Sequence, residues 1–221
     1  MSCMCHRPDR DCKKCHESNG TYEIKYKTIY ADPPWMEMGG GKIKRGADRH
    51  YPLMKTKEII ALKDFIGKIS DTNCHLYLWT TNNFIQDALL VMKEWGFVYK
   101  TTITWMKDRF GLGQYYRGIT EHCLFGVKGN LPYRTNLNGK RSQGVTGFIS
   151  PRTEHSVKPK EMRIMIERVS YPPYIELFAR EKAEGWDVWG NEVECDIRAV
   201  KSMNDIADTV RGNDHDLHDP I

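Results

Sequence analysis

The sequence predicts an α/β chain, a mainly parallel sheet with helices on both faces. Three observations carry this reading. Short apolar runs rich in β-branched and aromatic residues recur along the chain, amphipathic segments with helical spacing stand between them, and no internal repeat or low-complexity tract breaks the alternation. The 221 residues suffice for one principal domain with room for a small appendage. At 40% hydrophobic and 28% charged residues the chain is neither disordered nor fibrous in composition.

The elements follow in order. Lys27 to Ala31 is a β-prone run that stops at Asp32-Pro33-Pro34, because two prolines cannot continue a central ladder. Met36 to Arg49 holds four glycines among basic residues with little to bury, and reads as a basic loop. Thr56 is expected to cap one helix bearing Ile59, Leu62, Ile66 and Ile69, with a strand at His75 to Thr80 after it. Phe84, Ala88, Val91, Met92 and Trp95 form one face of the next helix, closed by Gly96. Strands follow at Thr101 to Trp105 and His122 to Val127, and the aperiodic stretch from Gly129 to Lys158 reads as a long functional loop. Pro159 suits a helix start, Met162, Met165, Ile166 and Val169 give its apolar face, and strands are expected at Tyr174 to Ala179 and Trp186 to Trp189. This β/α order places ligands at the carboxyl ends of the strands. Three units are expected: a Cys/His-rich segment at 1–20, the α/β domain at 21–195, and a polar acidic tail at 196–221.

The net charge is +4, but residues 201–221 hold two basic and five acidic residues, so the remaining 200 carry +7. That excess suits a polyanionic partner without proving one. No run approaches the roughly 18 apolar residues of a membrane helix, and the first residues lack an apolar leader core, so a cytoplasmic location with no membrane partner is expected. Of seven cysteines, Cys74, Cys123 and Cys195 are scattered in or beside apolar segments and read as small hydrophobes. Cys3, Cys5, Cys12 and Cys15 have ligand-like spacing, enough for one tetrahedral zinc, with unligated reduced thiols as the open alternative.

Two nucleotide motifs are absent: Gly41-Lys42 is followed by Ile43 rather than a hydroxyl residue, and Gly111-Leu112-Gly113 has Tyr116 where a dinucleotide fingerprint needs glycine. The informative tetrapeptide is Asp32-Pro33-Pro34-Trp35 at a strand end. The Asp32 carboxylate and the Pro33 carbonyl can accept two N–H bonds from an amino group on a planar base, with Trp35 as a stacking surface. Held this way, the nitrogen lone pair is less delocalised into the ring and the amine is a better nucleophile. A proline turn followed by a core tryptophan is the plain alternative.

YADPPW, HYPLM, HLYLWTTN, WGFVYKTTITWMK, EHCLFGVKG, HSVKPKEM and IELFAR with GWDVWGNE, in this order from about Ile29 to Glu192, resemble the MT-A70 family of adenine N6-methyltransferases. The resemblance implies a Rossmann-like class I methyltransferase fold with permuted motif order, S-adenosylmethionine as methyl donor, and transfer to N6 of adenine. Asp32, Pro33, Pro34 and Trp35 match its catalytic block, and Tyr51 matches a position near the target base. Asp32, Lys158, Glu176, Phe178, Arg180, Asn191 and Glu192 match its cofactor contacts, with Glu192 where some relatives have glutamine. DNA is the expected substrate, and RNA the alternative. A catalytically silent nucleic-acid-binding subunit is a further alternative, and a homodimer or partner subunit stays open. Lys42, Lys44, Arg45 and Arg49 are expected to contact phosphates, with Arg134, Lys140, Arg141 and Arg152 extending the track. Glu121 is expected to support the site through hydrogen bonds, while His122 reads equally well as a satisfied core histidine.

Overall fold

The computed structural model describes residues 24–36, 53–111, 115–152 and 157–197. Its centre is one seven-stranded sheet in the order β5-β3-β4-β2-β1-β6-β7, with β1 Tyr26–Ala31, β2 Ser70–Thr80, β3 Val98–Met106, β4 Thr120–Lys128, β5 Gly147–Ile149, β6 Tyr174–Leu177 and β7 Trp186–Trp189. The helices are α1 Thr56–Ile60, α2 Lys63–Ile69, α3 Ile85–Glu94 and α4 Lys160–Val169. Among the described residues no helix is long and apolar enough to cross a membrane.

Side chains of β1 separate by parity onto the two faces. Ile29 and Ala31 join Leu76, Leu78, Leu124, Ile175 and Leu177 in a core covered by α1, α2 and α3 through Ile59, Leu62, Ile66, Val91 and Met92. Tyr30 joins Tyr77, Trp79, Ile103, Trp105 and Cys123 in a second core closed by Met162 and Ile166 of α4. Helices therefore do lie on both faces. Tyr26 has the parity of Tyr30 yet packs with Ile29, because the register against β2 slips between Tyr26 and Thr28. Its hydroxyl then donates to Asp187 at 2.7 Å.

The structure corrects several expected elements. The order is not β/α throughout, since among the described residues no helix lies between β3 and β4, and β4 runs antiparallel to both β3 and β2. The other neighbouring pairs are parallel. The stretch after Gly129 is not all loop, because Gly147–Ile149 pairs parallel with β3 and forms the sheet edge. The single helix expected from Thr56 is two. The Ile59 carbonyl accepts from Leu62 N at 3.2 Å and from the Trp95 indole at 3.1 Å, which diverts it from the α-helical pattern. Thr56 is not the cap; Lys55 is, its N–H bound by Glu58 at 2.7 Å, while the Thr56 hydroxyl donates to Asp87 at 2.6 Å. Strand β6 ends at Leu177 rather than Ala179, since Phe178 adopts φ +62°.

Polar groups inside the second core are paired. Ser170, the C-cap of α4, meets His75 Nδ1 and the Tyr77 hydroxyl, each at 2.8 Å, and His75 Nε2 lies 2.9 Å from the Leu131 carbonyl. Burial lowers the His75 pKa, so the ring is held neutral in the fold. Cys74 and Cys123 are buried, as expected of small hydrophobes, whereas Cys195, read with them, is exposed and its thiol donates to the Gly190 carbonyl at 3.3 Å.

At the other end of the sheet, β6 and β7 deliver two loops that touch. Ala179 N donates to the Trp189 carbonyl at 3.1 Å, and a Cβ on Gly190 would lie 2.1 Å from the Ala179 carbonyl oxygen. Only glycine permits this approach, and the obstacle is backbone that cannot rotate away. Gly190→Ala is expected to lower the unfolding free energy by about 1–3 kcal/mol in urea denaturation, as overpacking does. An unchanged midpoint would mean that the two loops part without strain.

Candidate active site

Strand direction decides which residues meet. The carboxyl ends of β1, β3, β6 and β7 lie on the same sheet edge as the amino end of antiparallel β4. This brings Asp32, Lys107, Phe178 and Asn191, each just past a strand, beside Glu121 of β4. Asp32, Lys107 and Glu121 each stand two residues from Tyr30, Trp105 or Cys123 of the α4-side core, so period-two alternation aims them at that face. Lys158, just before α4, faces the same edge.

There the side chains form an alternating chain of charge. Lys158 Nζ lies 2.7 Å from Asp32 Oδ2 and 3.3 Å from Glu121 Oε2, and Lys107 pairs with Glu121 Oε1. The Lys158 and Lys107 ammonium groups also sit over indole faces, 5.4 Å from the Trp79 centroid and 5.0 Å from that of Trp105. Side-chain exposure is 24% for Asp32, 15% for Lys158 and 18% for Glu121, so charge here is largely out of water yet open on one side. Burial raises the pKa of Asp32 and outweighs the opposing pull of Lys158. Burial would do the same to Glu121, but Lys158 and Lys107 together overcome it and its pKa is lowered.

Glu176, the third residue of β6, supplies a third carboxylate. Arg163 of α4 grips its Oε2 through both Nε and a terminal nitrogen at 2.8 Å, and bonds Glu181 at 3.4 Å. Burial nonetheless pushes Glu176 up to about 7, opposed by Arg163 and reinforced by the nearby charge of Asp32. Arg180 faces Glu192 at 3.8 Å, linking the loops after β6 and β7. Phe178, between Glu176 and Arg180, is a non-glycine residue at positive φ, 9% exposed and edge-on to Trp189 at 5.8 Å. Such a conformation costs of order 1–3 kcal/mol and persists where surrounding packing fixes it.

The proline notch differs in two respects from the sequence reading. The Pro33 carbonyl is partnered, accepting from Trp35 N at 2.9 Å, so one lone pair is left for a ligand. Trp35 is a core residue rather than a presented platform: it is 7% exposed, stacked on Phe84 at 5.6 Å, and donates its indole N–H to the Trp79 carbonyl at 2.9 Å. Its neighbour Pro34 is pinned by Met54 N, which donates to its carbonyl at 2.8 Å. One buried side-chain oxygen among the described residues lacks a partner, Thr81 Oγ1, and it follows β2 on this same edge.

Asp32, Lys158, Glu176, Phe178, Arg180, Asn191 and Glu192 thus gather at one edge. Arg141 does not join them. It stacks on Tyr133 at 4.9 Å, in a segment that Arg134 ties to the end of α4, a helix length of roughly 15 Å from Lys158. Arg152 lies on the reactive side, its N–H bound by Asp108 at 2.8 Å. Tyr51, Lys42, Lys44, Arg45 and Arg49, together with Cys3, Cys5, Cys12 and Cys15, fall outside the described residues. Among the described residues no group of three His, Cys, Asp or Glu could hold a metal ion. His122 is satisfied by Thr104 at 3.0 Å and Asn82 at 2.9 Å, and burial lowers its pKa.

Lys107 and Arg163 were missed by the sequence reading. Strand parity offered a signal for Lys107, two residues beyond Trp105. Arg163 had no comparable signal, since its task depends on where α4 crosses β6.

A model of the MT-A70 family matches residues 26–192. Type II methyltransferase M.MunI of Mycoplasma sp is 33% identical over 82% of this chain and 84% of its own. A putative N(6)-adenosine-methyltransferase MT-A70-like of Medicago truncatula is 31% identical over 76% of this chain, and the N(6)-adenine-specific methyltransferase METTL4 of Homo sapiens 29% identical over 81%. The chain spans only 26% and 40% of those two proteins. The matched segment begins with β1 and ends at Glu192, so it takes in the sheet and every charged group of the reactive edge: the chain belongs to the MT-A70 family.

Proposed function

We propose that this protein transfers a methyl group from S-adenosylmethionine to N6 of adenine in DNA. The observation that carries the reading is the placement of Asp32 and the Pro33 carbonyl, two acceptors at a strand end, beside a second carboxylate and two cations on one edge. The similarity to M.MunI over most of both chains supports DNA over RNA as substrate, because that relative is named a type II methyltransferase.

The donor set suits S-adenosylmethionine. Glu176, with Oε2 engaged by Arg163, keeps an oxygen for the ribose hydroxyls, Asn191 offers an amide, and Lys158 and Arg180 suit the amino-acid carboxylate. Gly190 keeps the loop bearing Asn191 against the loop bearing Phe178 and Arg180. When bound, the donor supplies an electrophilic methyl on a sulfonium centre.

The remaining chemistry belongs to this chain. Lys158 engages Asp32 Oδ2, leaving Oδ1 for one amine N–H, while the second lone pair of the Pro33 carbonyl accepts the other. Both contacts draw the amine out of conjugation and align its lone pair, which is catalysis by positioning. As positive charge builds on the nitrogen, the Asp32 carboxylate stabilises it, and the raised basicity of Asp32 suits it to hold the departing proton. Glu121, fixed between two lysines, keeps Lys158 from closing over the whole of Asp32. Lys42, Lys44, Arg45, Arg49 and Arg152 are assigned to phosphates, and Tyr51 to the base. A target adenine in duplex must leave the stack to reach this edge.

The deciding experiment is methyl incorporation from labelled S-adenosylmethionine into matched DNA and RNA, each single- and double-stranded, with N6-methyladenine identified by nucleoside mass spectrometry. Label in DNA is expected. Label in RNA alone would replace the substrate, and donor binding without label would point to a silent subunit. Asp32→Ala is expected to lower kcat by roughly 10²–10⁴-fold while donor affinity changes little; unchanged turnover would remove Asp32 from the mechanism. Glu176 gives a pH test. Its carboxylate is the acceptor form, so donor affinity should fall as pH drops through about 7, and Glu176→Gln should flatten that dependence in calorimetric titrations. Metal analysis is expected to find about one zinc per chain, lost on replacing Cys12 and Cys15 with serine.

A further inference from the structure

The connection between β3 and β4 rises from the reactive edge itself, between Lys107 and Thr120. Its neck is built. Lys107 N donates to the Ile119 carbonyl at 2.8 Å and Gly111 N to that of Gly118 at 2.6 Å, while Arg117 Nε donates to the Gly111 carbonyl at 3.1 Å. The Arg117 guanidinium also covers the Phe110 ring at 5.4 Å, and Asp108 ties the base of the connection to Arg152.

Beyond that neck the side chains reverse the usual sorting. Tyr115 is 94% exposed and Tyr116 92%, with Phe110 at 61% and Arg109 alongside. Single exposed aromatics are ordinary, but three of them with two arginines on one short connection form an apolar and cationic surface, and among the described residues no ring or hydrogen-bond partner covers Tyr115 or Tyr116. Flat rings beside guanidinium groups match the chemistry of nucleic acid, where every base offers a stacking face and every linkage a negative charge. The place matches as well: the hairpin begins at the residue that binds Glu121, so a strand presenting a base to Asp32 passes it.

We propose that this hairpin is a nucleic-acid contact element, in which Tyr115 and Tyr116 stack on bases flanking the target adenine while Arg109 and Arg117 meet the adjoining phosphates. This rests on the reading of the site as one that methylates adenine in a polymer. It assigns part of substrate recognition to residues that do no chemistry.

The test compares the protein with a Tyr115→Ala, Tyr116→Ala variant on plasmid DNA free of N6-methyladenine. Loss of two stacking rings is expected to raise KM for DNA at least about tenfold, with kcat and donor affinity changed less than about twofold. Thermal stability should not move, since the rings are solvent-exposed. Tyr115→Phe, Tyr116→Phe should restore KM, because the stacking face is kept. An unchanged KM in the alanine variant would overturn the proposal while leaving the methyltransferase reading intact. Should the unaltered protein fail to methylate the plasmid, the functional reading fails separately, and anisotropy of a fluorescein-labelled DNA duplex then judges the hairpin. At least tenfold weaker binding by the alanine variant would support it, and equal binding would overturn it. A changed sedimentation coefficient with unaltered DNA affinity would identify a protein interface and overturn it too.

Discussion

The chain of opposite charges from Lys107 through Glu121 and Lys158 to Asp32 is the constraint on which the reactive edge depends. Each group alone would be expensive to remove from water, and removing one partner of a mostly buried pair leaves an uncompensated charge. The four are tolerable only together, with indole faces below both ammonium groups. The arrangement also divides labour between the carboxylates. Glu121, held between two lysines, stays ionised, while Asp32, where burial outweighs the pull of Lys158, gains basicity.

That chain exists because β4 runs against its neighbours. A parallel β4 would present Lys128 rather than Thr120 and Glu121 at this edge. Helix α4 completes the frame. It is preceded by Lys158, reaches Glu176 through Arg163 near its first turn, and is anchored at its end where Ser170 meets His75 and Tyr77. One helix thus couples Asp32 and Glu176 to a satisfied polar cluster deep in the sheet.

In the proposed function the edge divides into a side for the amine and a side for the donor. Asp32 and the prolines belong to the first, and Glu176, Phe178, Arg180 and Asn191 to the second. Phe178 keeps a strained backbone where the strand must end, and Gly190 keeps the neighbouring loop close enough for Arg180 to face Glu192. Strain and close approach at the same point are what packing must fix if two ligands are to meet within bond-forming distance. In the proposed reading, polar capture by recessed acceptors and stacking by exposed rings are separate tasks that fall on separate elements.

Sequence alone determined the family, the presence of every strand but β5, and the stop of β1 at the two prolines, because these rest on residue blocks in order, on local periodicity and on backbone chemistry. Trp186 to Trp189 and the helix after Pro159 fall where the pattern puts them. Tertiary structure decided the rest. The direction of β4 cannot be read from an apolar run, since parallel and antiparallel strands bury the same side chains. Nor can the break after Ile60, which follows from a tryptophan 36 residues away. Trp35 reads as a stacking surface in isolation and is a core residue in the fold, because Phe84 and the Trp79 carbonyl, both remote in sequence, occupy its face and its N–H. Which acid meets which base is likewise a property of adjacency across the sheet: Glu176 finds Arg163 of α4, and Glu121 finds Lys107 across the β3–β4 pair.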